Sequence, residues 1–459
     1  MISKPQWESI ILYMRMVLNG YRGRFPFRSR ESHTLRVAQW AQRIWNEDGE
    51  NADPEVLLCA AVLHDIGYYA KNGEDHAEIG AALAEAYLRN EGYEPNFIRK
   101  VCYCIRLHSH KEYLKQPERF EAELTPELQI LMEADLLDEC GAIAVVFDCM
   151  AESLEEEQSF EQTYQRIQKN SPEFLECNWM KSPSARIYWQ ERQTLLRDFL
   201  EQYRAELFLD EKMPQEYEAT AAFMMRTMRG HDLVPNRQGI VYPFRQKDRH
   251  MLRVFFQARR LFKNEKARQK DRRHELTPYA RKVLSYAALL HDIGYRKTSD
   301  GYLHAPAGAQ MAEEYMRSQG LPEELCRDTA RLIEMHADKT LLEKSDTPQL
   351  LRLLMEADHQ DESGALSIVW DSMAVVSRPS AEGGGTSLQT LDYGSALSRI
   401  RRYTGRMYEK CVYQTASGRE CWNQKERFVK QFIQNFQFDL VQWSPSELES
   451  ILHKEAEKL

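Results

Sequence analysis

AAVLHDIGYYA at residues 60–70 and AALLHDIGYRK at residues 287–297 are two versions of one segment, and they decide the organisation of the chain. In both versions, apolar residues at spacings of three and four lead into a His-Asp pair, and an Ile-Gly pair follows it. The spacing predicts an amphipathic helix, and the glycine predicts its end. We therefore expect two equivalent helices, each with a His-Asp pair at its C-terminal end.

The sequence around this segment also repeats, in the same order. The repeated pairs are PFRSRESHTLRV (26–37) with PFRQKDRHMLRV (243–254), MEADLLDECGA (132–142) with MEADHQDESGA (355–365) and, more weakly, SARIYWQERQ (184–193) with SGRECWNQKE (417–426). The offset between the copies drifts only between 217 and 233 residues, as expected of a duplicated domain whose loops changed length. We place copy 1 at residues 1–209 and copy 2 at residues 210–459, each with a helical extension after its MEAD segment.

Helical periodicity continues through most of the chain, whereas strand-like alternation is nearly absent. This pattern predicts an all-α fold with two tandem helical bundles of roughly six to eight helices each. Glycines at Gly230–Gly239 and Gly383–Gly385 predict loops, and the run Lys263–Arg273 predicts a solvated loop or a helix end. Trp189 and Trp422 recur in the two extensions, and we expect them in the core, with base stacking as the alternative.

Composition excludes several classes of protein. No stretch approaches the ~20 uncharged apolar residues that span a bilayer, so we expect no membrane segment. A net charge of −9 over 459 residues argues against a general nucleic-acid-binding surface. The nine cysteines form no C-x-x-C pair, which favours free thiols in a reducing compartment and hence the cytoplasm.

Eight of the thirteen histidines lie at matching positions of the two copies, together with two matched pairs of aspartates. Each copy thus offers four imidazoles and two carboxylates, a donor set suited to Mn, Fe, Mg, Co, Ni or Zn. Six donors exceed the needs of one tetrahedral site, and two metals that share a carboxylate would use all six. The predicted ligands are His33, His64, Asp65, His76, His108 and Asp135 in copy 1, and His250, His291, Asp292, His304, His336 and Asp358 in copy 2.

The order H…HD…H…H…D, with its HDIG segment, resembles the HD superfamily of metal-dependent phosphohydrolases over about residues 25–150 and 242–375. His33, His64-Asp65 and Asp135 match its core quartet, as do His250, His291-Asp292 and Asp358. The remaining histidines resemble those of binuclear members. The segment from Ala134 to Ala142 is similar to small bacterial HD proteins that act as nucleoside triphosphate pyrophosphohydrolases.

The resemblance implies one metal in each core quartet and a second metal held by His76 and His108, or by His304 and His336, with Asp65 or Asp292 bridging. His76 follows the His-Asp pair by only twelve residues, closer than in binuclear cyclic-dinucleotide phosphodiesterases, whose GYP motif is absent. The second metal is therefore a separate expectation from the first. A bound divalent metal lowers the pKa of water, which attacks phosphorus.

Further residues are expected to act around this centre. We name Asp65 and Asp292 as catalytic candidates together with Asp138 and Asp361, which lie three residues after a metal-binding aspartate and are suited to orient a water or a histidine. Glu139 is the alternative to Asp138 for orienting the water. Six cations also recur, and we expect them either to contact substrate phosphate or to form surface salt bridges: Arg28, Arg36, Lys111, Arg245, Arg253 and Lys339.

We predict a metal-dependent phosphohydrolase whose partner is a small-molecule phosphate, such as a nucleotide, with no membrane or nucleic-acid partner. Two alternatives stay open. The six-ligand set also resembles that of HD-type di-iron oxygenases such as myo-inositol oxygenase. One or both copies could instead sense a nucleotide without turnover.

Overall fold

The structure is a computed structural model that describes residues 2–19, 21, 23–70, 76–231, 240–268, 276–376 and 391–446. The predicted loops at 232–239 and 383–385, and residues 269–273 of the charged run, lie outside the described residues. About 74% of the chain is helical and the described residues contain no β-strand, which confirms the all-α class. No helix in the described ranges has the length and apolar character needed to cross a bilayer.

Copy 1 contains eleven α-helices within the described residues. They are α1 (Lys4–Leu18), α2 (Arg30–Asp48), α3 (Pro54–Leu63), α4 (His76–Asn90), α5 (Pro95–Leu107), α6 (Glu112–Lys115), α7 (Pro126–Asp138), α8 (Ala142–Glu152), α9 (Phe160–Asn170), α10 (Pro172–Glu176) and α11 (Pro183–Leu207). Short 3₁₀ turns follow α3 and α6, at Ile66–Tyr69 and Pro117–Arg119.

Copy 2 contains nine α-helices in its described part. They are α12 (Gln215–Met228), α13 (Lys247–Arg268), α14 (Pro278–Leu290), α15 (His304–Ser318), α16 (Glu323–Met335), α17 (Gln349–Asp361), α18 (Ala365–Ala374), α19 (Tyr393–Ile400) and α20 (Ala416–Asp439). Its 3₁₀ turns are Pro243–Arg245, Ile293–Arg296 and Lys339–Glu343, and one π-helical turn, Arg401–Gly405, follows α19. Both copies exceed the expected six to eight helices, because the extensions are helical and copy 1 adds two helices of four and five residues.

Local sequence explains where the central helices begin. α3 starts at Pro54 behind Asp53, whose carboxylate accepts hydrogen bonds from the amides of Glu55 and Val56. α7 and α14 begin in the same way, with Thr125 and Thr277 as caps and proline as the first helical residue. A proline at this position lacks only an amide that the helix leaves unpaired, so it fixes the start at little cost.

Three apolar cores lie within the described residues. One lies among α1–α5 and α7, and its counterpart in copy 2 lies among α12–α17. The third core joins α8, α9 and α11 of copy 1 to α18, α19 and α20 of copy 2. We call this third region the extension core. Trp189 and Trp422 are buried, as expected of core residues.

The MEAD glutamates tie each extension to the helix that carries the motif. Glu133 accepts hydrogen bonds from the amides of Lys181 and Ser182, just before α11 begins. Glu356 does the same for Gln414 and Thr415, just before α20 begins. Both glutamates are fully buried, so their hydrogen bonds offset the cost of desolvation and fix where each extension helix starts.

The connection between the copies, residues 208–214, separates α11 from α12. The boundary that we place near residue 210 falls in this connection and stays a prediction. The extensions pack against each other in one shared core, so residues on both sides of that boundary depend on each other.

Candidate metal centres

Five helices of each copy converge on one cluster of histidines and aspartates. In copy 1 the donors lie on α2, at the end of α3, at the start of the turn that follows α3, at the start of α4, at the end of α5 and on α7. In copy 2 they come from α13 to α17 in the same order. The structure thus brings together all twelve predicted ligands, six in each copy.

Asp65 lies at the centre of the cluster in copy 1. Its Oδ1 lies 3.5 Å from His64 Nε2, 3.9 Å from His76 Nε2 and 3.7 Å from His108 Nε2. Its Oδ2 lies 3.5 Å from His33 Nε2. Asp135 closes the other side, with Oδ1 3.3 Å from His33 Nε2 and 4.0 Å from His64 Nε2. A carboxylate between two groups of imidazoles is what a bridging ligand requires.

The cluster of copy 2 repeats this arrangement. Asp292 Oδ1 lies 3.1 Å from His304 Nε2 and 3.5 Å from His336 Nε2, while its Oδ2 lies 3.5 Å from both His250 Nε2 and His291 Nε2. Asp358 Oδ1 lies 3.3 Å from His250 Nε2 and 3.5 Å from His291 Nε2. Neither copy has lost a donor.

The histidine tautomers show that these residues fit a metal. His64 Nδ1 lies 2.8 Å from the carbonyl oxygen of Ala61, and His108 Nδ1 lies 2.6 Å from that of Ile105. A carbonyl only accepts, so the proton of each neutral ring is on Nδ1 and Nε2 carries a lone pair. His64 Nε2 is buried and makes no hydrogen bond within the described part of the chain. Lone pairs buried among carboxylates need a cation between them.

His291 and His336 are oriented in the same way, by the carbonyl oxygens of Ala288 and Ile333. His336 Nε2 then lies 3.2 Å from His304 Nε2. The equivalent His76–His108 distance is 3.4 Å. The two additional histidines of each copy therefore point into the cluster, despite the short spacing after the His-Asp pair.

The glycine of the HDIG segment explains that short spacing. A Cβ atom on Gly67 would lie 1.8 Å from the carbonyl oxygen of His76, and one on Gly294 would lie 1.9 Å from that of His304. Only a residue without a side chain lets the start of α4 or α15 approach so closely. The glycine thus places the first residue of the next helix, a histidine, at the cluster.

Asp138 does not face the cluster, so the geometry does not support its expected role in orienting a water. Its Oδ2 accepts a hydrogen bond from His33 Nδ1 at 2.7 Å, and Arg36 binds both of its oxygens at 2.7 and 2.9 Å. Asp361 makes the same contacts with His250 and Arg253. These aspartates lie behind the first histidine and orient it, which was the other role that the spacing allowed.

Of the six predicted phosphate contacts, Arg36 and Arg253 bind these aspartates instead, and the other four divide into two pairs. Lys111 Nζ lies 2.6 Å from the outer oxygen of Asp135, and Lys339 pairs with Asp358 in the same way, so both lysines border the cluster. Arg28 and Arg245 instead pair with the glutamate that follows the second MEAD-segment aspartate, Glu139 and Glu362. All four cations have a carboxylate partner, and the lysines are the nearer pair to the cluster.

Sequence reasoning missed another cation at each centre. Arg30 donates to Asp65 Oδ2 at 2.8 Å and lies over the ring of Tyr68, 3.8 Å from its centroid. In copy 2, Lys247 pairs with Asp292 Oδ2 and lies 5.0 Å from the ring centroid of Tyr295. The tyrosine, which also stacks on the third histidine, recurs in HDIGY. Because the cation is arginine in copy 1 and lysine in copy 2, comparison of the two repeats does not identify it.

The electrostatic environment gives His64 and Asp65 the ionisation states that bind a cation, whereas His33 keeps a proton in the absence of metal. Burial lowers the pKa of His64 to about 4, which keeps it neutral near pH 7. Burial alone would raise the pKa of Asp65, but His64, His108 and Arg30 together hold it well below its usual value. For His33 burial is likewise outweighed, because Asp135 and Asp138 raise its pKa to about 9. A metal would displace the Nε2 proton of His33.

A family match covers the ligands of both clusters. The fold and the site define a duplicated helical protein with a histidine–aspartate centre in each half. The HD domain family matches residues 30–140 and 248–362, and together with the two clusters this makes the chain a tandem HD-domain protein. No protein of the curated set matches it significantly.

Two solved structures are similar to part of the chain. A predicted HD superfamily hydrolase from an uncultured Thermotogales bacterium is 25% identical over 43% of this chain and 91% of its own, with a TM-score of 0.31. A protein from Lactobacillus plantarum is 19% identical over 46% of this chain and 100% of its own, with a TM-score of 0.32. Each spans less than half of this chain.

Proposed function

We propose that this tandem HD-domain protein is a metal-dependent phosphohydrolase that acts on a nucleotide or a related phosphate ester. The observation that carries the proposal is the convergence, in both copies, of imidazole lone pairs on a shared carboxylate. Such a donor set binds divalent metals. The nine free cysteines fit a reducing compartment, and we assign the protein to the cytoplasm on that ground.

A divalent metal held by the core quartet would supply Lewis-acid activation of water and of a phosphoryl oxygen. The protein's own residues orient this chemistry. Asp138 holds the ring of His33, and the carbonyl oxygen of Ala61 holds that of His64. Lys111 and Arg30 border the cluster and carry the positive charge that a phosphoryl group needs.

A cavity beside the copy 2 centre supports the nucleotide as substrate. It has a volume of about 310 Å³, and His250, Arg245 and Trp370 line it together with Arg402 and Tyr403. Arg402 lies 5.5 Å from the ring centroid of Tyr403 and pairs with no carboxylate in the described residues. A cavity with an available guanidinium and aromatic faces suits a phosphate joined to a flat base.

The corresponding cavity of copy 1 has a different charge. It measures about 410 Å³. Three acids line it, Asp138, Glu139 and Asp148, just as their equivalents line the copy 2 cavity, but it adds Glu173 and has two arginines where the copy 2 cavity has four. Arg166 is held by three acids, Asp148, Glu152 and Glu155, whereas its counterpart Arg399 pairs within the described residues with Asp371 only. We therefore propose that copy 2 is the half that binds the anionic substrate.

The substrate pocket is tested with Arg402→Gln in the full chain. Loss of one charged hydrogen bond should raise KM for a nucleotide about tenfold, with kcat within twofold of wild type. The matched control is Lys169→Gln, at the equivalent position of copy 1, which should leave KM unchanged. Equal effects of the two substitutions would contradict the assignment to copy 2.

The central proposal is tested by metal analysis and a phosphate-release panel on wild type, Asp65→Ala and Asp292→Ala. Wild type should contain divalent metal and release phosphate, and each substitution should remove the metal of its own copy. Wild type without metal would overturn the proposal. Tightly bound iron with oxygen consumption by an organic substrate would identify an oxygenase, and nucleotide binding with metal but no product would identify a sensor.

A further inference from the structure

The two copies exchange aromatic side chains in the extension core, and they do so reciprocally. Tyr393, the first residue of α19 in copy 2, lies against Phe27 of copy 1 with ring centroids 6.1 Å apart. Phe160, the first residue of α9 in copy 1, lies against Phe244 of copy 2 at 5.8 Å. Phe27 and Phe244 are equivalent in the repeat, and so are Tyr393 and Phe160. The copies are therefore related by an approximate twofold exchange.

Buried charges follow the same exchange. Glu206 of copy 1 accepts from the amide of Leu366 in α18 at 2.8 Å and pairs with Lys425 at 3.4 Å. Asp439 of copy 2 accepts from the amide of Ile143 in α8 at 3.4 Å and pairs with Arg192. Each acid contacts the first turn of a helix in the other copy, so polar groups as well as apolar ones fix the register.

The exchanged rings reach the metal centres through the residues behind the first histidine. The Tyr393 ring centroid lies 5.6 Å from the guanidinium carbon of Arg36. Arg36 binds both oxygens of Asp138, and Asp138 binds His33 Nδ1. In copy 2 the Phe160 ring lies 5.4 Å from the guanidinium of Arg253. Arg253 in turn binds Asp361, which binds His250.

We propose that Tyr393 and Phe160 are positioning residues that act across the copies, each supporting the metal centre of the other half. The inference rests on the proposed metal centres. The four residues that connect the exchanged ring to the copy 1 metal centre are all buried: Tyr393, Arg36, Asp138 and His33. A ring beside a buried guanidinium stabilises the cation and excludes water from the arginine–aspartate pair. Without it, Arg36 gains room to move and Asp138 holds the histidine ring less firmly.

The experiment measures Co²⁺ binding by the full chain, with calorimetry and visible absorption, and needs no substrate. Asp292→Ala leaves only the copy 1 centre, and Asp65→Ala leaves only the copy 2 centre. Tyr393→Met should weaken Co²⁺ binding at copy 1 about tenfold, the lower end of the effect of losing a group behind a metal ligand. It should leave copy 2 within twofold, and Phe160→Met should do the reverse.

Tyr393→Phe is the control that keeps the ring, and it should bind Co²⁺ as tightly as the parent. Circular dichroism and thermal unfolding verify that each variant folds, and Tyr393→Leu is a second ring-free variant if methionine packs poorly. An effect on the residue's own copy, equal effects on both copies, or no effect at either would overturn the inference. If the parent proteins bind no Co²⁺, the proposed function fails first. If they bind it but hydrolyse no phosphate ester, the crossed dependence can still be measured.

Discussion

A backbone carbonyl selects the reactive nitrogen of four of the candidate ligands. Four histidines directly follow the last residue of a helix, and each directs Nδ1 to the carbonyl oxygen three residues earlier: His64, His108, His291 and His336. At the end of a helix such a carbonyl lacks the amide four residues later as its partner, although the Ile333 carbonyl also accepts the His336 amide at 3.4 Å. The last turn of the helix therefore sets the tautomer without any other side chain.

The first histidine of each copy lacks such a carbonyl and relies on an aspartate, which yields a prediction at the scale of the residue. Asp138→Ala should weaken metal binding at copy 1 by 10- to 100-fold, the usual effect of losing a group that orients a ligand. Calorimetric titration with Co²⁺ in the Asp292→Ala background measures it. Glu139→Ala, one residue later and partly exposed, is the matched control and should change affinity by less than twofold.

Asp371 gives a prediction of pH dependence away from the metal centres. Burial raises its pKa from 3.8 to about 6, against the opposing effects of Thr404 and Arg399. The folded state thus holds this proton more tightly than the unfolded chain, so its contribution to stability is complete below about pH 4 and is lost as the pH rises through 6.

Asp371→Asn removes that loss. The free energy of unfolding of the variant, relative to wild type, should rise by up to about 2–3 kcal/mol between pH 4 and pH 7 and then stay constant. Urea unfolding at matched pH values measures the difference. Asp148→Asn should behave alike, since burial also raises the pKa of Asp148 to about 6. A difference that does not change with pH would show that the burial of Asp371 does not control its protonation.

The elements show why short motifs recur unchanged in both copies. Gly141 and Gly364 adopt positive φ angles of 79° and 76°. A Cβ atom on Gly141 would lie 2.8 Å from Arg192 Cγ, and one on Gly364 would lie 1.9 Å from Glu206 Oε1. The glycine after each MEAD segment therefore ends one helix, starts the next, and admits a side chain of the extension core.

Gly294 gives a prediction at the scale of the element, because α15 starts against it. Gly294→Ala should displace the start of α15, withdraw His304 from the cluster and lower the Co²⁺ stoichiometry of copy 2, with a loss of about 1–3 kcal/mol of stability from overpacking. Metal analysis and thermal unfolding in the Asp65→Ala background measure both. Gly301→Ala, where no atom lies within 4 Å of the added Cβ, should do neither.

Much of this fold and most of each site were predictable from the sequence, and the reasons are physical. A repeated helical pattern predicts repeated helices, and histidines that persist in register predict ligands such as His33 and His250. Asp138 was ambiguous, because a spacing of three residues does not show whether the side chain faces a metal or a histidine. Arg30 escaped notice because its counterpart is Lys247, and either cation can pair with the same aspartate.

At the scale of the whole molecule, the sequence predicted two units but not their shared core. Periodicity reports which face of a helix is apolar, and it does not report which other helix covers that face. The apolar faces of α8 and α18 cover each other across the duplication. The contacts that Tyr393 and Phe160 make with the opposite copy follow from that helix pairing. The sequence of one repeat by itself does not predict the pairing.

The buried charge pairs between the copies give a prediction at this scale. Glu206→Ala leaves Lys425 buried without its acid and removes the acceptor of the Leu366 amide, which should cost about 3 kcal/mol of unfolding free energy. Glu85→Ala removes the acid of an exposed pair with Arg89 and should cost less than about 0.5 kcal/mol. Guanidinium unfolding of the full chain compares them, and equal losses would contradict a structural role for the inter-copy pair.

Covalent fusion of the two halves has a consequence for how this interface evolves. In a symmetric homodimer, every substitution appears on both sides of the twofold axis at once. Here Arg192 pairs with Asp439, whereas the equivalent positions hold Lys425 and Glu206. The same contact between the copies is thus made by an arginine–aspartate pair on one side and by a lysine–glutamate pair on the other. In a fused chain, a substitution on one side of the approximate twofold axis leaves the equivalent position on the other side unchanged. One copy can therefore acquire a different function while the contacts between the copies are kept.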